Sequence, residues 1–251
     1  TGQYYPDGTG RKLPAGGLFR FAPHYHPWGE ETIDRQKVGI KFYPQGDVPE
    51  LIVTAHRIRT GVGHDWELNR EAVEDRLLRA GYDLALHEER MPTGALIDDN
   101  TLNGVALMSI PPHSVVRHER FWPLPQAGLV LSFQPHMHFL GKYQCLELIY
   151  PTQPVKAEVV NCAHFDYNWH LAYNYADDSA PLVPAGTILH VINWHDNSAA
   201  HRGNPDPRNW SGSGGRTIDE MGFAWIGWYD LTDEEYEAEL TARETARRKA
   251  N

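Results

Sequence analysis

The chain has 251 residues and 41% hydrophobic content, which is enough for one large domain or two small ones with a buried core. Its 33 Asp and Glu outnumber its 23 Lys and Arg, and the net charge of −10 argues against a protein that binds nucleic acid through the phosphates. No apolar run reaches the roughly 20 residues that cross a bilayer, so we expect a chain that is not itself transmembrane. The 22 Gly and 18 Pro favour an all-β fold of short strands joined by turns.

Strand-like runs bounded by Pro and Gly begin the chain. They predict strands at residues 17–24, 38–43 and 51–58. Between Asn69 and Gly81 the apolar residues instead recur at helical spacing, and a glycine is a typical helix stop. We therefore interpret residues 1–63 as one unit and residues 64–102 as a helical insertion or linker.

Strand-like runs return at short, regular intervals in the second half of the chain. The pattern predicts strands at residues 105–110, 114–121, 129–138, 187–194 and 221–229. This spacing is typical of a β-sandwich or a jelly roll, which we place at residues 103–231. The turn-forming residues of 195–216 predict a surface loop.

Two cysteines lie in strand-like runs on either side of a Pro-containing turn. A hairpin centred between Gln153 and Pro154 places Cys145 opposite Cys162, within reach of a disulfide. A slip of one residue would put the two thiols on opposite faces and leave both free and buried. Both arrangements stay open at this point.

The C-terminal segment carries the signals of a helix. Thr232 with Glu235 three residues later forms a capping-box pattern, and basic residues at 247–249 suit the C-terminal end. The pattern predicts a helix within residues 232–251. It is either a solvated appendage or an element that docks onto a protein partner.

His136 and His138 are the first candidate metal ligands. They stand at i and i+2 of a predicted strand, so both imidazoles project from one face and are able to chelate one ion. The same spacing also occurs at half-exposed polar strand edges that bind no metal. A third donor is needed, and a Met thioether beside two imidazoles favours copper, particularly Cu(I).

Two motifs resemble one enzyme family. The run PHMHFLGK, from Pro135 to Lys142, resembles the His-x-His-x-Leu-Gly-Lys strand of the copper type II, ascorbate-dependent monooxygenases, which include peptidylglycine α-hydroxylating monooxygenase and dopamine β-monooxygenase. The run TIDEM at residues 217–221 resembles the family's Asp-Glu-Met segment, whose Met completes the catalytic copper site. The runs at 166–175, 184–187 and 196–198 also look like bacterial members, so the resemblance covers residues 103–231.

The resemblance implies a complete C-terminal jelly roll with His136, His138 and Met221 around one copper ion. It implies hydroxylation of a small substrate with dioxygen and a reductant, in a periplasmic or secreted protein.

A second, weaker resemblance concerns residues 21–26, FAPHYH. This run is similar to the end of the family's first domain, where the His of a His-Tyr pair binds a second, electron-transferring copper. His24 is the matching residue, and residues 1–63 would then be the remnant of an N-terminal jelly roll. The family's other two ligands, an adjacent His pair, are absent from residues 1–23, so we expect one complete copper site.

The substrate-contact positions differ from the family. The peptide-hydroxylating member has an Arg two residues before the first His ligand and a Tyr four residues after the Met ligand, where this chain has Gln134 and Trp225. Neither side chain replaces the bidentate fork of Arg, so a peptidylglycine substrate is not expected. Trp225 either packs against an apolar substrate or belongs to the core.

Two functions therefore stay open at the level of the sequence. One is a copper-dependent hydroxylase. The other is a non-catalytic accessory subunit of a larger periplasmic or extracellular assembly. A truncated N-terminal domain would leave strand edges that need a cover, so a protein partner would cover that domain or dock onto the C-terminal helix.

Overall fold

The computed structural model describes residues 5, 7–19, 21, 25, 29–47, 51–59, 101–102, 105–106, 109–167, 170–212 and 216–250, with backbone alone at 51–52, 54–59, 101–102, 105–106, 109 and 250. The helix predicted between Asn69 and Gly81 lies outside these residues. The proposed domain boundaries therefore stay predictions.

Strands dominate the described ranges, with a single helix at the C-terminal end. They are β1 (Thr9–Gly10), β2 (Leu51–Ile52), β3 (Thr54–Arg59), β4 (Thr101–Leu102), β5 (Val105–Ala106), β6 (Ser109–Ile110), β7 (Val115–Pro123), β8 (Ala127–Met137), β9 (Gly141–Tyr150), β10 (Lys156–His164), β11 (Tyr173–Asn174), β12 (Leu182–Val183), β13 (Ile188–Asp196), β14 (Ser211–Gly212), β15 (Gly222–Leu231) and α1 (Asp233–Ala250).

Two antiparallel sheets form the body of the protein. One has the strand order β10-β9-β13-β7, and the other has the order β11-β8-β15-β3 with β12 also paired to β8. The prediction of an all-β fold is confirmed at this level. The strands predicted at 114–121, 129–138, 187–194 and 221–229 occur with ends shifted by a few residues, whereas the run predicted at 105–110 is described only as the short strands β5 and β6, which pair with different partners.

The core lies between the two sheets, because alternate residues of the long strands point inward. Its fully buried members include Val130, Phe133, Leu146, Leu148, Leu189, Val191 and Ile226. On β8, Phe133 and Met137 are buried in this phase, which Pro135 shares, so every second residue between them faces the other side of the sheet. That outward phase contains Gln134 and His136.

The β9–β10 hairpin carries the predicted disulfide. Lys156 pairs with Tyr150 at the turn, a β-bulge follows between Val159 and Asn161, and Cys162 then pairs with Cys145. The two cysteines form a disulfide with a Cα–Cα distance of 4.1 Å. The prediction is confirmed, and the alternative of two free thiols is wrong.

Two strands predicted near the N-terminus are wrong where the structure describes them. Residues 17–19, 21 and 38–43 form no strand. Val38, Ile40 and Phe42 have the alternation of a strand but are 63%, 47% and 67% exposed, because no neighbouring strand pairs with them. The third predicted strand occurs as β2 and β3, and β3 pairs with β15.

The predicted surface loop at 195–216 begins inside the protein. His195, Asp196 and Asn197 are 0%, 4% and 1% exposed. The side-chain amide of Asn197 donates to the carbonyl oxygens of Pro111 and Asn209 at 2.8 and 2.9 Å. This part of the prediction is wrong because a polar side chain typical of turns here donates hydrogen bonds to backbone carbonyl oxygens inside the protein, which allows the segment to be buried.

Helix α1 begins after the predicted cap. The amide of Thr232 donates to Glu235 Oε2 at 2.7 Å, and the amide of Glu235 donates to Thr232 Oγ1 at 3.2 Å, which confirms the capping box. Arg243 donates to the carbonyl oxygens of Ala180 and Asp177 at 2.6 and 2.9 Å. The helix is therefore attached to its own domain and is not a free appendage.

No helix in the described part of the chain is long and apolar enough to cross a membrane.

Candidate metal site

His136 and His138 lie side by side at the end of β8. Their ring centroids are 5.4 Å apart with an interplanar angle of 68°. Two imidazoles that share an ion at nitrogen–metal distances of about 2 Å have ring centres about 5 Å apart. The spacing of the two rings therefore suits one shared ion without a large movement of the strand.

A backbone carbonyl orients the ring of His138. Its Nδ1 atom is 2.8 Å from the carbonyl oxygen of Asp219. A carbonyl oxygen only accepts hydrogen bonds, so Nδ1 carries the proton and Nε2 keeps its lone pair. Such a contact fixes the tautomer and the direction of a ligating imidazole, and His138 is only 6% exposed.

Strand register places Met221 on the same face as the two histidines. Phe223 pairs with His136 and Gly222 pairs with Met137, so the same antiparallel register continued by one residue sets Met221 opposite His138. Side chains alternate along a strand, and Met221 therefore shares the phase of Phe223 rather than that of the core. The register therefore places Met221 next to the end of β8 that carries the two histidines, and a site shared by the three side chains stays a prediction.

The buried carboxyl group of Glu220 fastens the two segments that carry these ligands. Its Oε1 atom accepts the amide of Leu140 at 2.7 Å, and the side chain is fully buried. Burial raises the pKa of Glu220 to about 8, although hydrogen bonds from the backbone amides of Leu140, His138 and Met221 lower it. Glu220 therefore holds the Met221 segment against the end of β8.

Gly141 allows this end of β8 to turn tightly. Its amide donates to the carbonyl oxygen of His138 at 2.9 Å. A Cβ atom at this position would lie 2.7 Å from the Cβ of Met137 and 2.9 Å from the same carbonyl oxygen. The glycine of the His-x-His-x-Leu-Gly-Lys pattern is thus required by close packing behind the histidines.

Two buried histidines, to which the sequence assigned no role, lie beneath the site. His195 Nδ1 is 3.2 Å from His118 Nδ1, and His195 Nε2 is 3.6 Å from the Glu220 carboxylate. Burial, followed by the neighbouring His118, holds the pKa of His195 well below its usual range. For His118 the sequence signal was a histidine within a predicted strand, whereas His195 was assigned to the predicted surface loop and is in fact part of β13.

The interior next to the site is small. A cavity of about 20 Å³, the size of one water molecule, is lined by residues that include Pro135, Met137, Gln144, Phe165 and His170. The other face of this sheet, called the outer face below, carries Gln134 and His136.

Gln134 and Trp225 face each other on that outer side. They are direct partners in the β8–β15 ladder, and Trp225 is 37% exposed. The alternative that Trp225 belongs to the core is therefore wrong. Its contact with a substrate stays a prediction.

The second predicted copper site is not addressed by the structure, because His24 lies outside the described residues. Among the residues that are described, no three His, Cys, Asp or Glu side chains converge as a metal site. The candidate site differs from such clusters in that its third donor is the thioether of Met221. Its two oriented imidazoles and one adjacent Met fit a soft metal ion.

Comparison with known proteins gives no match, either to models of protein families or to curated protein sequences.

Proposed function

We propose that this chain binds one copper ion through His136, His138 and Met221, and that residues 103–231 form a jelly-roll domain of the copper type II monooxygenase kind. The observation that carries the proposal is the 2.8 Å contact between His138 Nδ1 and the carbonyl oxygen of Asp219. It joins the two motifs across the fold and leaves Nε2 of His138 available to a metal.

The donor set favours copper over the other common metals. Two imidazoles and a thioether form a soft ligand set that suits Cu(I), whereas Mg²⁺ and Ca²⁺ prefer oxygen ligands. The buried carboxyl group of Glu220 accepts backbone hydrogen bonds from Leu140, His138 and Met221. It supports the ligand segments and is not proposed as a ligand.

The proposed reaction is the hydroxylation of a C–H bond. Copper, when bound, would supply the activation of dioxygen. One oxygen atom enters the substrate, and the other leaves as water with two electrons and two protons from a reductant such as ascorbate. The chain contributes the oriented imidazoles, the thioether and a binding face that includes Trp225.

The substrate we propose is small and at least partly apolar. Trp225 offers an exposed aromatic surface directly opposite Gln134. Aromatic side chains bind apolar groups with large contact areas, and Gln134 supplies one amide for a polar group. Because Gln134 lacks the planar cationic fork of Arg, the site does not favour a carboxylate substrate.

Titration with Cu(I) against a chromophoric chelator tests the ligand set. We expect about one tightly bound Cu(I) per chain. Met221→Leu keeps the side-chain size but removes the sulfur, and we expect it to weaken the binding at least about tenfold. His113→Asn removes an exposed histidine from the turn before β7, where Asn tolerates the positive φ of 52°, and it is the control without effect. A wild-type chain that binds no Cu(I), or a Met221→Leu variant that binds as tightly as wild type, would refute the ligand set.

One observation favours the alternative function, a non-catalytic accessory subunit. Val38, Ile40 and Phe42 are exposed on a segment without regular secondary structure, and an apolar segment of this kind is able to add as a strand to a partner's sheet. Oxygen consumption with ascorbate separates the two functions. Copper-loaded protein that consumes oxygen in the presence of a small aromatic substrate supports the hydroxylase, whereas tight copper binding without consumption supports the accessory subunit.

A further inference from the structure

His136 is enclosed by other rings. Phe223 stacks on it at a centroid distance of 4.3 Å and an angle of 21°. His170 meets it nearly at right angles, with centroids 4.9 Å apart and an angle of 82°. His138 is the third neighbour, at 5.4 Å. Two of these rings come from the candidate site and its sheet, whereas His170 comes from a loop that follows β10.

The loop that carries His170 is fastened to both halves of the site. Tyr167 packs against the ring of Phe139 with centroids 4.5 Å apart, next to His138. The hydroxyl of Tyr167 also donates to Thr217 Oγ1 at 3.3 Å, at the start of the segment that ends in Met221. Phe165 lies 5.4 Å from the ring of His170. The loop therefore bridges the end of β8 and the Met221 segment.

We infer that His170 is a positioning residue of the metal site, because its ring holds the imidazole of His136 in the orientation that faces His138. This inference rests on the proposed function. The terminal torsion of a histidine side chain is broad, so a strand alone does not fix the ring. Phe223 restrains one face of His136, and His170 restrains it from a perpendicular direction.

Positioning, rather than ligation, follows from the arrangement of the rings. No three His, Cys, Asp or Glu side chains in the described ranges converge on a common point, although His170 contacts His136. A ring that orients a ligand raises metal affinity because the ligand is ordered before the ion binds. His170 is thus expected to act through its shape.

A pair of variants separates the ring from its nitrogens. His170→Ala removes the ring, and His170→Phe keeps an aromatic ring of similar size without a donor atom. We expect His170→Ala to weaken Cu(I) binding about tenfold and His170→Phe to bind within about threefold of wild type. His113→Asn is the control. The thermal midpoint of the metal-free protein, measured for each variant, shows whether a loss of affinity comes from unfolding.

A metal-free measurement tests the same inference without copper. The ring protons of His136 sense the ring current of Phe223, so their NMR shifts and line widths report the orientation of the imidazole. We expect these signals to move and broaden in His170→Ala and to stay close to wild type in His170→Phe.

The two measurements distinguish the possible failures. If wild type binds no Cu(I) but the His136 signals respond to His170→Ala, the proposed function fails and the orienting role of His170 stands. If Cu(I) binds and His170→Ala changes neither affinity nor signals, the positioning role is refuted. It is also refuted if His170→Phe loses as much affinity as His170→Ala, because a nitrogen would then be required.

Discussion

Two histidine clusters in this protein have opposite surroundings. His190 on β13 is fully buried and lies between two carboxylates, with Nδ1 2.7 Å from Glu147 Oε2 and Nε2 2.6 Å from Glu119 Oε2. Arg117 adds a cation, with its Nε atom 2.9 Å from Glu119 Oε1. Ionised carboxylates only accept hydrogen bonds, so both nitrogens of His190 are engaged in holding the sheet together.

His138 has a carbonyl oxygen in place of the carboxylates. Its Nδ1 atom is held by Asp219, and the adjacent ring is another imidazole, His136. One nitrogen of His138 is thereby oriented while the other keeps a lone pair for a metal. The hydrogen-bond partners of a histidine ring therefore distinguish a structural histidine from a candidate ligand, and the number of histidines in the chain does not.

The sharpest test of this contrast is His190→Leu. The substitution keeps a similar volume but leaves Glu119 and Glu147 without their shared partner, and we expect the free energy of unfolding to fall by about 3 to 5 kcal/mol. Urea denaturation measures the loss. Cu(I) affinity should be unchanged in the folded variant, and a variant that loses copper while keeping its stability would reverse the assignment of the two clusters.

Removal of the disulfide by Cys145→Ala with Cys162→Ala should have the next largest effect on stability. The bridge closes a loop with a sequence separation of 17, and a loop of this length corresponds to about 3 kcal/mol of stabilisation. Denaturation of the oxidised wild type and of the double variant measures it. We expect Cu(I) affinity to be unchanged. A loss of Cu(I) affinity would show that the stability of the four-stranded sheet and metal binding at the candidate site are energetically coupled, which would contradict their independence.

His138→Ala should produce the mirror image of His190→Leu. We expect Cu(I) affinity to fall about a hundredfold because an oriented ligand is lost, while the metal-free protein loses only about 1 kcal/mol for one hydrogen bond to a carbonyl. Chelator competition measures the Cu(I) affinity, and urea denaturation measures the free energy of unfolding of the metal-free protein. A large loss of stability with little change in Cu(I) affinity would make His138 a structural residue like His190.

The smallest effect is expected for Lys142→Met. Burial would raise the pKa of Asp196, but hydrogen bonds from Ser198 and Lys142 outweigh it and hold the pKa below its usual range. The contribution of Asp196 to stability is therefore complete at pH values above its unfolded-state pKa, and it is lost as the pH falls through the folded-state pKa. Lys142 is 50% exposed, so we expect a loss of no more than about 0.5 kcal/mol at neutral pH.

Unfolding experiments across the acid range check that sign. The difference in stability between wild type and Lys142→Met should shrink as the pH falls and Asp196 becomes protonated. A difference that grows toward low pH would contradict the assignment of the lowered pKa to this ion pair.

The hairpin shows how far local sequence patterns reach. A turn centred between Gln153 and Pro154 predicts the pair Cys145 and Cys162, and the structure has that pair. The strands leave the turn in a register shifted by one residue, and the bulge between Val159 and Asn161 restores the predicted pairing. A bulge depends on packing across the sheet, so it was not predicted from the sequence. The predicted cysteine pair is nevertheless correct.

The candidate ligands were predictable because their signals are local. His136 and His138 follow the alternation of one strand, and each resembling motif is a short run. The network of His118, His195 and Glu220 was not predictable, because it needs the pairing of β13 with β7 and the approach of His195 to Glu220. These contacts join positions far apart in the chain, and periodicity carries no information about them.

The same limit explains two errors. Trp225 lies in a continuous apolar run, so the sequence does not show which residues of this strand face the core. In the structure the neighbouring Ala224 and Ile226 are both 0% exposed, and Trp225 therefore points outward. Residues 38–43 have good strand propensity but lack a partner strand in the described structure. Propensity favours a strand, whereas pairing decides whether it forms.

X-ray absorption at the copper edge of the Cu(I)-loaded chain reports all three proposed ligands at once. We expect nitrogen scattering from the two imidazoles together with one sulfur scatterer in wild type, and the loss of the sulfur alone in Met221→Leu. A wild-type spectrum without sulfur, or identical spectra for the two proteins, would contradict a copper site built from His136, His138 and Met221.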